Sequence, residues 1–123
     1  MILVLSVALA GVIGAPARFM LDGWLQRRAR TTVPVGTLAV NVSGAFVLGL
    51  VLGLLDAGYV STRVATIVGT GILGAFTTFS TFSFESVRLV EEAAWRPLAT
   101  YLLTMILGGL VAAGLGLWIA SFV

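Results

Sequence analysis

The sequence predicts an all-α integral membrane protein with four transmembrane helices and a break in helix 3, on three observations. Of its 123 residues, 59% are hydrophobic and only 10% charged, far too little polar surface for a soluble domain of this length. Four runs, residues 1–17, 31–55, 64–84 and 97–123, carry no charged side chain, and each is close to the ~20 apolar residues that cross a bilayer core as a helix. The third run alone interrupts its apolar residues with a dense set of glycines and hydroxyls, a composition that weakens a helix from within. Residues 1–123 therefore read as a single membrane domain, with no length left for a soluble one.

Helix 1 is expected over residues 2–24, which puts Arg18 and Asp22 near its far end, because 17 residues of helical rise cover ~25 Å. Its opening has the apolar stretch and small residues of a signal peptide but no positive n-region, and three more spans follow, so it reads as a retained span. The basic connection QRRARTT leads to helix 2, expected over residues 34–55; Pro34 suits a first helical turn, and Gly58 in the next connection can end the helix. Helix 3 is expected over residues 61–90, with a break near 74–78 where Gly69, Gly71 and Gly74 give way to hydroxyls. Unwound backbone at membrane depth is tolerated only where protein or a polar cavity covers it. Past Glu85 the signs alternate three or four residues apart through Arg88, Glu92 and Arg96, predicting a ladder of ion pairs along a helix that emerges into water. Pro97 opens helix 4, expected over residues 97–122. Ala45, Gly49 and Gly53 on helix 2, and Gly108, Ala112 and Gly116 on helix 4, form small-residue stripes that let helices approach closely. Four helices make a thin bundle, so oligomerisation is expected.

Composition also excludes functions. Without cysteine there is no disulfide or thiolate metal site, and without histidine the commonest general base is missing. All seven cations are arginines flanking the apolar runs, with no basic run interleaved with exposed aromatics, so no nucleic-acid partner is expected. Asp22, Asp56, Glu85, Glu91 and Glu92 all fall at expected helix ends or loops, so no mid-membrane acid couples transport to protons. No carboxylate pair or activated serine appears, and an enzyme is not expected.

The interior polarity is uncharged. Residues 74–85, GAFTTFSTFSFE, set Thr77, Thr78, Ser80, Thr81 and Ser83 among four phenylalanines. On an unbroken helix Phe76, Phe79 and Phe82 would stack on one face, with Thr77, Ser80 and Thr81 beside them. Such residues commonly serve packing and their own backbone. Joined with Asn41 in the middle of helix 2 and a glycine-weakened helix 3, they also make a lining of hydroxyl and amide donors and positive ring edges that suits an anion. Arg18 either snorkels to the interface or serves as a vestibule cation that concentrates anions.

Three stretches, GAPARF (14–19), GTLAVNVSGAFVLG (36–49) and GILGAFTTFSTFS (71–83), resemble the signatures of the Fluc/CrcB fluoride channels in content, order and spacing, and the resemblance covers the whole chain. It implies an antiparallel dimer with two fluoride pores along the subunit interface. Carried onto this sequence, it implies Phe79 and Phe82 as pore phenylalanines, Asn41 as the pore-facing amide, Ser80 and Thr81 as a hydroxyl row, and Arg18 as the vestibule cation. It further implies a structural, non-permeating sodium ion at the helix-3 breaks of both subunits, with the Gly74 and Thr77 backbone carbonyls as ligands; neutral carbonyl oxygens suit a hard cation. Two departures stand out. Where the family often has further helix-4 hydroxyls, Tyr101 and Thr104 are available but Met105 and Gly109 follow. Loops 1 and 3 also hold Arg27, Arg28, Arg30, Arg88 and Arg96 against Arg63 alone on the other side, a bias that favours one orientation and raises a paralogous partner as the alternative to a homodimer.

The expectation is a passive, fluoride-selective channel in the plasma (cell inner) membrane, exporting cytoplasmic fluoride and relieving its toxicity. Two alternatives stand beside it: a non-transporting structural membrane subunit, for which the small-residue stripes suffice, and a small four-helix multidrug exporter, which needs an acid in helix 1 that residues 1–17 lack.

Overall fold

The computed structural model describes all of residues 1–123 and contains helices and turns only. Helix α1 covers Ile2–Arg28 and α2 covers Val35–Asp56. The third span starts at Thr62–Thr66, widens into a π-helix over Ile67–Leu73 and closes with the single turn Gly74–Phe76; these three pieces together are α3. Extended backbone at Thr77 and Thr78 follows, then α4 at Phe79–Glu91. Helix α5 covers Trp95–Ala120. Four stretches, Ile2–Arg28, Val35–Asp56, Thr62–Glu91 and Trp95–Ala120, are long and apolar enough to cross a membrane. The chain is a multi-pass membrane protein in which α1 runs parallel to the third span and antiparallel to α2 and α5.

Local chemistry sets the ends. α1 continues to Arg28, past the expected residue 24, because two arginines in its last turn complement the helix dipole and Arg28 stacks 4.2 Å over the Trp24 ring one turn back. Pro34 is the N-cap of α2. Ser61 caps α3 by accepting from the Val64 amide at 3.3 Å. α5 starts at Trp95 and ends at Ala120, two residues ahead of the expected range at each end, with Pro97 in its first turn.

The bundle closes on backbone-to-backbone contacts. α2 and α5 meet where a Cβ on Gly49 would overlap the Ala113 carbonyl oxygen and one on Gly116 would overlap the Phe46 carbonyl oxygen. Gly108 sits farther out, its absent Cβ position 3.5 Å from a Val42 methyl. α1 meets α3 in the same way: a Cβ on Gly14 would overlap the Ile72 carbonyl oxygen, and one on Gly71 would come 2.8 Å from the Val7 carbonyl oxygen. The π-helix falls in this contact, where Gly69 and Gly71 let the backbone widen without displacing side chains.

The predicted ladder of charges beyond Glu85 is reduced to one rung. Arg88 and Glu92 pair at 3.3 Å, but Glu85 is taken by the Tyr101 hydroxyl at 2.6 Å. Glu92 and Arg96 are parted because α4 stops at Glu91 and Ala93 turns the chain with φ 52°. Asp22 and Glu85, expected at helix ends, lie inside α1 and α4 and are half-buried.

Candidate functional site

The break falls at the middle of the third span, and Asn41 holds it open. Thr77 is extended at φ −75°, ψ 160° and Thr78 at φ −147°, ψ 125°. In an unbroken helix the Thr78 amide would donate to the Gly74 carbonyl and its own carbonyl would accept one turn later. Instead the Thr78 amide donates to Asn41 Oδ1 at 2.8 Å, and Asn41 Nδ2 donates to the Thr78 carbonyl at 2.9 Å. One side-chain amide thus satisfies both backbone groups of the residue that interrupts the helix, as hydrocarbon depth requires. Gly44, one turn along α2, makes the docking possible, since a Cβ there would overlap the Thr77 methyl.

The four carbonyls of residues 74–77 lose their helical donors at this break, those of Gly74 and Thr77 among them. The Gly74 carbonyl loses the Thr78 amide to Asn41. The Thr77 carbonyl loses the Thr81 amide, which donates to Thr78 Oγ1 at 3.1 Å as the cap of α4. The Thr77 side chain is engaged elsewhere, donating to the Leu73 carbonyl at 2.8 Å. What Gly74 and Thr77 present is therefore neutral main-chain oxygen, a donor type suited to a hard cation of low charge.

A cavity of about 370 Å³ opens beside the break, lined by Asn41, Thr77, Thr78, Phe79, Phe82, Met105 and Ile106. None of these is ionisable. Phe79 and Phe82 sit 5.9 Å apart, centroid to centroid, and Phe82 lies 5.3 Å from Tyr101. These tilted rings form a track that ends at the buried Tyr101 hydroxyl and Glu85. Thr78 gathers the hydroxyls, donating to Thr81 Oγ1 at 3.1 Å and lying 3.2 Å from Ser80 Oγ. Phe79 is 79% exposed, so a single chain leaves the cavity open on one side.

Several predicted positions come together here, and others do not. Asn41, Phe79, Phe82, Ser80, Thr81, Gly74 and Thr77 converge on the break, with Tyr101 one ring beyond. The expected three-residue phenylalanine stripe does not form, because Thr77 and Thr78 separate Phe76 from the helix that carries Phe79 and Phe82. Phe76 packs instead at Gly44, 3.5 Å from its absent Cβ position. Thr104 is exposed and does not line the cavity, whereas Met105 does. Arg18 is half-buried and makes no ion pair; it lies one turn past Gly14, the α1 contact with Ile72 and Phe76, and so reaches the level of the break. Thr78 and Glu85 were read from sequence only as a hydroxyl in a run and a helix-end charge. Thr37 went unnoticed: it is wholly buried, its Oγ1 has no hydrogen-bond partner, and it lies with Asp22 around the Tyr101 phenol. The signal for Thr37 was its position four residues before Asn41, on the same face of α2. No local pattern joins Glu85 to Tyr101, which meet only when α4 and α5 pack.

Comparison with known proteins gives the same outline. The family model described as "CrcB-like protein, Camphor Resistance (CrcB)" matches residues 5–117. A Leifsonia xyli protein named fluoride-specific ion channel FluC 1 is 47% identical over 98% of this chain and 88% of its own length. Moorella thermoacetica FluC 2, also named a fluoride-specific ion channel, is 47% identical over 95% of this chain and 94% of its own. A Streptomyces avermitilis protein named fluoride-specific ion channel FluC 1 is 41% identical over the same shares.

Proposed function

This chain belongs to the CrcB family, and on that premise we propose that it is a fluoride-selective channel that lets cytoplasmic fluoride leave the cell passively. The observation that carries the reading is the cavity at the break, with an amide, hydroxyls and ring edges for walls and no ionisable group. Fluoride is small and strongly hydrated, so a path must replace its water with donors equally close. Asn41 gives one N–H to the Thr78 carbonyl and keeps a second for an anion. Ser80 and Thr81 add hydroxyls, and the edges of Phe79 and Phe82 add weaker positive potential. Tyr101 continues the track, its hydroxyl holding the Glu85 carboxylate, and Arg18 serves the vestibule. Thr104, beside Gly108 on the same helix, would add a further hydroxyl outside the cavity itself. With no fixed cation in the cavity, an anion is not trapped midway. The membrane potential drives it out, since fluoride enters as HF and loses its proton inside. The protein is not an enzyme.

The open side of the cavity supports a second copy in antiparallel orientation, which would close the path and bring two breaks together. The Gly74 and Thr77 carbonyls of the two copies would then hold the structural sodium ion. When bound, sodium supplies a fixed positive charge that neutralises the four carbonyl dipoles. The arginine bias of loops 1 and 3 raises a paralogous partner as the alternative to a second copy, so the partner is tested together with the activity. Liposomes carrying this protein alone and loaded with fluoride or chloride are followed by ion electrodes. Rapid release of fluoride with chloride retained is the result for a homodimeric channel. Equal release of both anions contradicts the selectivity. No release from this chain alone, restored by an oppositely biased homologue, replaces the homodimer with a heterodimer.

A further inference from the structure

The outer face of α1 near its C-terminal end holds an apolar groove beside unopposed positive charge. The groove, about 650 Å³, is lined by Ala17, Phe19, Met20, Leu21, Trp24 and Arg27. No helix of this chain covers it, and Phe19 is 80% and Met20 70% exposed. Arg27 is exposed but lies along the helix. Its guanidinium folds back one turn over Gly23, with Nη1 3.1 Å from the position a Cβ would occupy there, so the absence of a side chain at residue 23 gives the charge its place at the groove. Arg28 is held beside it by stacking over Trp24, and Arg30 follows just past the helix end.

These arginines have no acidic partner. The ion pair of the chain is Arg88–Glu92, and Asp22, the nearest acid in sequence, is turned to the opposite side of α1, packed on Gly36 of α2. We propose that this end of α1 is a binding site for an anionic phospholipid, with the headgroup phosphate on Arg27 and Arg28 and an acyl chain along Phe19, Met20 and Trp24. A phosphodiester is the anion available at the depth where a membrane helix ends, and its acyl chain matches the apolar groove directly below the charges. A second antiparallel copy is a poor occupant. It would bring up its connection between α2 and α3, whose Asp56 and Arg63 leave no net charge to offset three arginines. The proposal rests on membrane insertion and is independent of which ion the protein conducts.

The test uses full-length protein with Trp95→Phe and Trp118→Phe, leaving Trp24 as the reporter, in vesicles whose dibrominated component is either phosphatidylglycerol or phosphatidylcholine. Brominated phosphatidylglycerol should quench Trp24 more strongly, with a preference on the order of fivefold per arginine at low salt. Arg27→Gln with Arg28→Gln should remove the preference while fluoride release stays at the parent rate, which shows that the double variant is folded. Should that variant fail to insert, Gly23→Val, which fills the place of the guanidinium, should weaken the preference by itself. Added inorganic phosphate should not compete, because it lacks the acyl chain. Equal quenching by the two lipids overturns the proposal, as does full displacement by free phosphate or a preference that survives loss of both arginines.

Discussion

The α2–α5 seam and the break between α3 and α4 are both built on small residues, and they use them for opposite ends. At the seam, Gly49 and Gly116 bring two unbroken helices together until main-chain atoms touch, and every backbone group keeps its helical partner. At the break, Gly44 admits the Thr77 methyl, α3 ends, and the helical donors of Gly74 and Thr77 go to Asn41 and to the Thr78 cap. Close packing fixes the bundle in one place. In the other it buys exposed main-chain oxygen and a side-chain amide at mid-membrane. A rigid seam gives the broken helix a frame in which unsatisfied polar groups persist, and those groups are the ones that can meet an ion.

Substitutions that act on one region and spare the other sharpen this contrast. The largest effect is expected for Gly49→Leu, whose side chain has only backbone to displace; a loss of at least ~3 kcal/mol should leave little monodisperse protein on size-exclusion chromatography. Asn41→Asp comes next. It keeps the acceptor for the Thr78 amide, loses the donor to the Thr78 carbonyl and sets a like charge in the path, so fluoride release from liposomes should fall about 100-fold while helical content by circular dichroism holds. Undiminished release would remove Asn41 from the lining and leave it a clamp alone. Phe82→Ile should slow release about tenfold through loss of a ring edge between Phe79 and Tyr101, with the melting temperature almost unmoved; an unchanged rate would reduce Phe82 to packing. Smallest is Thr77→Ala. Its hydroxyl serves the Leu73 carbonyl, so sodium-dependent stabilisation in thermal melts should persist, and its loss without any change in helicity would contradict the carbonyl assignment.

The spans were legible because charge-free runs of bilayer length have no other stable form. The break was legible to within a few residues, because glycines followed by hydroxyls weaken a helix wherever they fall. Its position at Thr77–Thr78 was not, since it depends on Asn41, 37 residues away in sequence, docking through the notch at Gly44. The same dependence on packing hid the split in the phenylalanine stripe, because i, i+3, i+6 arithmetic assumes an unbroken helix. Glu85 looked like a rung of a surface ladder, and only the packing of α5 on α4 assigns it to Tyr101. Met105 over Thr104 is a question of helix rotation, which a nearly uniform apolar sequence such as α5 does not encode.

The central claim is that fluoride passes the break in the third span, through a cavity with no ionisable lining, down its electrochemical gradient without coupling. Fluoride release from proteoliposomes, with the potential set by potassium and valinomycin and no pH gradient, tests it most directly. The account predicts release that rises with a potential driving anions outward and needs no proton gradient. Release that requires a proton gradient, or that ignores the potential, would contradict it.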